Sequence, residues 1–132
     1  MNPSIKRKCM NHIMVCVLGM LAAYNRFHGE IDETIREYLM ARLVPFTKEV
    51  YVTLLTNYTD ETKAVLIDFD NDIKSLNNDF YELIGSKEVS SFFGFCYIDF
   101  WRKRKELLNK SFVRVFSRVY MWIVLLKKIL NR

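Results

Sequence analysis

The stretch Phe80-Tyr-Glu-Leu-Ile-Gly-Ser-Lys-Glu-Val-Ser-Ser-Phe-Phe-Gly-Phe95 does most to limit what this chain can fold into. Gly85-Ser86 interrupts an amphipathic helix, and Ser86, followed by Lys87-Glu88, predicts the N-cap of the next one. That next helix carries Val89, Phe92, Phe93, Phe95, Cys96 and Ile98 and is apolar on every side. Such a helix sits at the centre of a bundle or inside a membrane. Asp99 and the run Arg102-Lys103-Arg104-Lys105 stop it well short of a bilayer span. The expectation is a buried central helix from Ser86 to about Lys105.

Its 132 residues predict one domain, 1–132, with room for a substantial core. A hydrophobic content of 51% excludes disorder, and only four Gly and two Pro favour long helices over a many-stranded sheet. Cys9, Cys16 and Cys96 show no framework spacing, which predicts reduced thiols in a cytosolic protein. Lys6-Arg7-Lys8 followed by the apolar run Ile13 to Ala23 has the outline of a signal peptide. Leu21 at the −3 position does not suit cleavage, so a buried first helix is the reading. Charge is uneven: residues 101–132 hold ten Lys or Arg against Glu106 alone, whereas residues 28–100 hold fourteen acids against six bases. Acidic and basic faces that pair, or a basic end drawn to an anionic surface, would follow.

Along the chain, a first helix is predicted from Ser4, as N-cap, to Phe27, stopping at His28-Gly29. Glu30 to Leu43 is a second, ended by Pro45, and Thr47 to Asn57 a short third. Thr59 or Asp60 caps the next, whose stripe Val65, Phe69, Ile73, Leu76, Phe80 and Leu83 runs to Ile84, with a kink allowed at Asp70-Asn71-Asp72. After the central helix, Asn109 or Ser111 caps the last one. There Phe112, Val115, Phe116, Val119, Trp122, Ile123, Leu126 and Leu130 form one apolar face, and Trp122 is assigned to the core.

Phe80-x-Glu82-x-Ile84-Gly85, Val89 and Phe92-Phe93-Gly94-Phe95 together resemble the first homology motif of the Bcl-2 family, E-L-F-R-D-G-V-N-W-G-R-I-V-A-F-F-x-F. Phe116-Ser-Arg-Val-Tyr-Met-Trp122 is similar to the V-S-R-I-A-A-W of that family's sixth helix. The two matches cover about a third of the chain, in the family's order and spacing. Where the family has N-W-G-R, this chain has Gly85-Ser86-Lys87-Glu88, so Lys87 replaces a Gly and Glu88 inverts the charge of the ligand-pairing Arg. The resemblance implies an all-α, Bcl-2-like helical bundle around a buried hairpin of two helices. It also implies a groove that takes the homology-3 helix of pro-apoptotic host proteins. Val50, Leu54, Leu76, Asp79 and Leu83 are expected as walls, with Gly85, Lys87, Glu88, Ser91 and Phe95 facing the ligand. The short build looks like the viral homologues. That makes the expected function an anti-apoptotic viral protein in the host cytoplasm or peripheral at the mitochondrial outer membrane, with Lys87 pairing the ligand's acid.

No catalytic constellation stands out, so the chain is expected not to be an enzyme and to need no cofactor. Cys9, His12 and Cys16 share a helical face, but three ligands on one helix is no established metal spacing, and packing on a core-facing stripe is the reading. Asp68-x-Asp70-x-Asp72 lacks the Gly and Glu of a calcium loop and reads as a solvated helix face. The basic run at Arg102 reads as a solvated turn; without a groove-reading motif, no nucleic acid is expected as partner. No transmembrane anchor is expected, and self-association through the groove or the last helices is. Two alternatives stay open: a viral bundle of the same fold that inhibits innate immune signalling adaptors, and a basic helical protein acting on membranes or nucleic acid.

Overall fold

The computed structural model describes residues 3–27, 29–92 and 95–131. The chain is all-α apart from one two-residue ladder. Its elements are α1 (Pro3–Phe27), α2 (Glu33–Thr56), α3 (Asp60–Leu76), α4 (Asn78–Ile84), α5 (Lys87–Ser90), β1 (Ser91–Phe92), β2 (Phe95–Cys96), α6 (Tyr97–Arg104) and α7 (Lys110–Leu130). Helices α1, α2 and α3 pack on one another, α4 joins α3 and α2, and α7 lies along α2. The stop expected at His28 and the core placement of the Phe92 and Phe93 side chains lie outside the described residues.

Side-chain caps start the helices where short polar residues precede apolar stripes. Asp32 accepts from the Ile35 N–H at 2.9 Å, Asn109 accepts from the Ser111 N–H at 2.8 Å, and Thr59 forms a reciprocal capping box with Thr62. Ser4, expected as a cap, lies within α1.

Pro45 does not end a helix; α2 runs through it as one 24-residue rod. Proline costs about 3 kcal/mol in a helix interior because it removes the N–H that would serve the Ala41 carbonyl. Burial of Leu43, Thr47, Val50, Tyr51, Leu54 and Leu55 on both sides of it offsets that, at about 1.5–3 kcal/mol per large apolar side chain. The Thr47 hydroxyl donates to the Leu43 carbonyl at 2.7 Å, so it remains satisfied inside the core.

The next break comes at Asn77, not at Asp70–Asp72. The Asn77 backbone closes α3 through the Ile73 carbonyl, and its side chain caps α4 by accepting from the Phe80 N–H at 3.0 Å. Asn25 fastens α1 to the same junction, donating to the Leu76 carbonyl while its own carbonyl accepts from the Asn77 amide at 3.0 Å.

The continuous central helix expected over Ser86–Lys105 is not formed. Ser86 does begin a helix, but α5 lasts four residues before Ser91 and Phe92 pair antiparallel with Cys96 and Phe95. β-Propensity of the aromatic run competes with helix here, and the four residues of α5 are too few to make a stable rod on their own. The chain re-enters a helix at Tyr97, where Ile98 and Trp101 are buried. α7 departs from the expectation as well. Val113 is its one buried residue among those described, and Trp122, assigned to the core, is 71% exposed.

Candidate functional site

Two features organise the middle of the molecule: a buried polar knot and an apolar trough beside it. The knot forms where α2, α3 and α6 meet. Arg102 of α6 reaches Asp70 of α3 (Nε to Oδ1, 2.8 Å), donates through Nη1 to the Tyr81 carbonyl at 2.8 Å and through Nη2 to the Tyr51 hydroxyl at 3.2 Å. Tyr51 in turn donates to Asp70 Oδ1, and the guanidinium stacks 3.6 Å over the Tyr81 ring. With side-chain exposures of 7% and 1%, Arg102 and Asp70 form a desolvated pair, neither of them on a solvated face or turn. Desolvation opposes the Arg102 charge, but Tyr51 and Asp70 outweigh it and hold its pKa above the ordinary value. Burial, with the Asp70 carboxylate beside it, pushes the Tyr51 phenol well up. Among the described residues, Asp70 Oδ2 has no hydrogen-bond partner.

The trough lies between the outer side of α2 and the inner side of α7, over β2 and α6, and encloses about 510 Å³. Val52 and Thr56 line the α2 wall, Phe116, Tyr120 and Val124 the α7 wall, and Trp101 and Phe95 the floor. Aromatic rings join these walls: Phe95 meets Phe116 edge-on at 5.7 Å and Tyr120 at 6.1 Å, while Tyr97 lies 5.7 Å from Tyr120. The Trp101 indole N–H is satisfied by the Tyr58 hydroxyl at 2.9 Å, so the floor presents carbon, not an open donor. Lys48, Glu49 and Ser91 supply polar groups among this lining. The arrangement offers apolar burial with a few polar groups to fix orientation, which is the chemistry of recognition.

Phenols near the trough make it alkali-sensitive. Burial, then the neighbouring Tyr97 and Cys96, raises the Tyr120 pKa to about 12, and burial raises that of Tyr97. Their protons leave the unfolded chain first, near the ordinary tyrosine value of about 10. Above that pH the folded state holds the extra protons, so rising pH favours unfolding. Denaturation midpoints should be level with respect to these groups below about pH 10 and fall as pH approaches the Tyr120 value of about 12. A level midpoint across that window would show the phenols to be solvated.

Of the residues expected to form a groove, Ser91 and Phe95 line the trough. Asp79 and Leu83 line a second cavity of about 490 Å³ with Tyr24, Asn25, Arg36 and Phe80. Val50 and Leu54 are in the core and Leu76 packs against it. Lys87 and Glu88 are exposed on α5, one turn before Ser91. Gly85 faces inward: a Cβ there would stand 2.4 Å from Arg102 Nη1, so its close approach is to the chain's own guanidinium. Cys9, His12 and Cys16 are exposed on α1, whose core stripe is instead Met10, Val17 and Leu21. The sequence reading missed Val52, Thr56 and Tyr120. A signal was available, since α2 carries apolar residues on two faces and only one of them can enter the core.

No family model matches the chain, and no curated protein and no solved structure matches it either.

Proposed function

We propose that this protein works by binding, taking the apolar side of an amphipathic helix from a partner protein into the trough between α2 and α7. The observation that carries the reading is the trough itself: an aromatic floor with its donor satisfied, apolar walls on two helices, and Lys48, Glu49 and Ser91 among its lining to set register. The resemblance carried by Phe80–Phe95 and Phe116–Trp122 extends the proposal to the occupant. It names the homology-3 helix of pro-apoptotic host proteins, and so an anti-apoptotic viral protein with a Bcl-2-like bundle. Such a bundle would have its central helix shortened to Tyr97–Arg104, because the chain folds back over Ser91–Cys96. Exposed Lys87, a turn before the trough residue Ser91, remains the candidate to pair the ligand's acid.

Calorimetric titration of homology-3 peptides, with a charge-matched scrambled helix as control, tests this. Val52 is half-buried, so Val52→Glu should leave the fold intact while placing a carboxylate in the trough. Loss of a central anchor contact is worth about 2 kcal/mol or more, so affinity should fall by a factor on the order of 30 or more. Lys87→Ala should weaken binding only a few-fold, as an exposed ion pair contributes about 0.2–1 kcal/mol. Binding unaffected by Val52→Glu would remove the trough from the mechanism. Failure of every homology-3 peptide would remove the apoptotic assignment and favour a helix from an innate signalling adaptor.

A further inference from the structure

The side of α7 facing away from the trough leaves large apolar side chains in solvent. At about 100° per residue, Val115, Val119, Trp122, Ile123, Leu126 and Leu130 fall on one continuous arc. All six are exposed, from 43% for Ile123 to 81% for Leu130. The helix carries five basic residues (Lys110, Arg114, Arg118, Lys127, Lys128) and no acid. By the same geometry Arg118, whose Nε also donates to the Thr56 carbonyl at 3.2 Å, and Lys127 flank the arc on its two sides.

We propose that this face of α7 docks in the plane of an anionic lipid surface. The argument is charge complementarity joined to the apolar arc. A helix lying in the interface needs a wide apolar face, an aromatic residue at headgroup depth and cationic flanks, and α7 has all three, with Trp122 at one edge of the arc. It lies on the membrane and does not cross it: no helix among the described residues is long and apolar enough to span. A second copy is the poorer occupant, since symmetric pairing of the same face brings the cationic flanks Arg118 and Lys127 of the two copies together with no acid on either helix. The trough wall of Phe116, Tyr120 and Val124 shares no residue with the arc, so membrane docking and partner binding can be tested by separate substitutions.

The test is co-sedimentation of the full chain with vesicles of phosphatidylcholine alone and of phosphatidylcholine mixed equally with phosphatidylserine, with tryptophan emission read in parallel. The expected result is binding to the mixed vesicles only, weakening from low to physiological salt. A blue shift should come from exposed Trp122, since Trp101 is already buried; Trp122→Phe should abolish the shift. Leu126→Glu should abolish binding while helicity is retained, because Leu126 is half in solvent. Arg118→Gln with Lys127→Gln should weaken partitioning by about 30-fold, on roughly fivefold per basic residue at an anionic surface. Equal binding to neutral and mixed vesicles, no binding at low salt, or full binding by Leu126→Glu would each overturn the proposal. So would a concentration-dependent dimer that Leu126→Glu abolishes in a chain that ignores vesicles, which would give the face to a second copy.

Discussion

Replacing Asp70 by Ala is expected to cost about 3–5 kcal/mol of folding stability, because it leaves the Arg102 guanidinium buried without its counter-charge. Domains of this size have about 5–15 kcal/mol in total, so the variant should be close to unfolding at ambient temperature. The magnitude follows from burial: with side chains 7% and 1% exposed, neither member of the pair can recover water when the other is removed. Tyr51→Phe removes a neutral hydroxyl that donates to Asp70 and accepts from Arg102, and should cost about 1.5–3 kcal/mol because both partners are charged. The pair is not expected to be a net source of stability relative to carbon. Asp70→Leu combined with Arg102→Met should recover most of the loss, the more so because Asp70 Oδ2 already lacks a partner. Urea midpoints of Asp70→Leu, Arg102→Met and the double variant measure the coupling directly. A cost below about 1 kcal/mol for Asp70→Ala would place the pair in solvent and dissolve the knot as a feature of the fold.

Gly85→Ala should be the most damaging conservative change at the α4–α5 junction, by about 1–3 kcal/mol from overpacking. Its φ of −83° is ordinary for any residue, so the backbone raises no objection and Ala alone would even restrict the unfolded chain favourably. The obstacle is Arg102 Nη1, 2.4 Å from the new methyl and held in place by its bonds to Tyr51, Asp70 and Tyr81. The prediction therefore has a sign reversal in it. In the Asp70→Leu/Arg102→Met background the shorter Met vacates that position, and Gly85→Ala should become neutral or mildly stabilising. An equal cost in both backgrounds would show that something other than the guanidinium requires the glycine.

Gly85 also shows how far a motif can be read. Its place next to a helix break was legible, and the resemblance made it one of the residues facing a ligand. What faces it is the Arg102 guanidinium of α6, seventeen positions later in the chain. Asp70 was misread for the same reason. Three alternating acids on a helix look solvated, and nothing nearby in sequence announces that the middle one meets an arginine thirty-two residues away. Pro45 was judged by its local cost alone, whereas α2 buries large side chains on both sides of it. The apolar stripe of α7 was correctly placed on the helix and wrongly placed in the core: periodicity identifies a face but not what covers it.

What the chain determines by itself is local. An all-α course, a helix break at Gly85-Ser86, and caps at Thr59 and Asn109 depend on hydrogen bonds reaching three or four residues, and those neighbours are written side by side. Tertiary structure decided the rest: that α2 survives its proline, that Ser91–Cys96 folds back on itself, that Arg102 is buried, and that α7 lines a trough with one side and faces outward with the other. Each of these turns on burial and desolvation between groups far apart in sequence. Their free energies exceed the local preferences they override, and they exist only once the helices have packed.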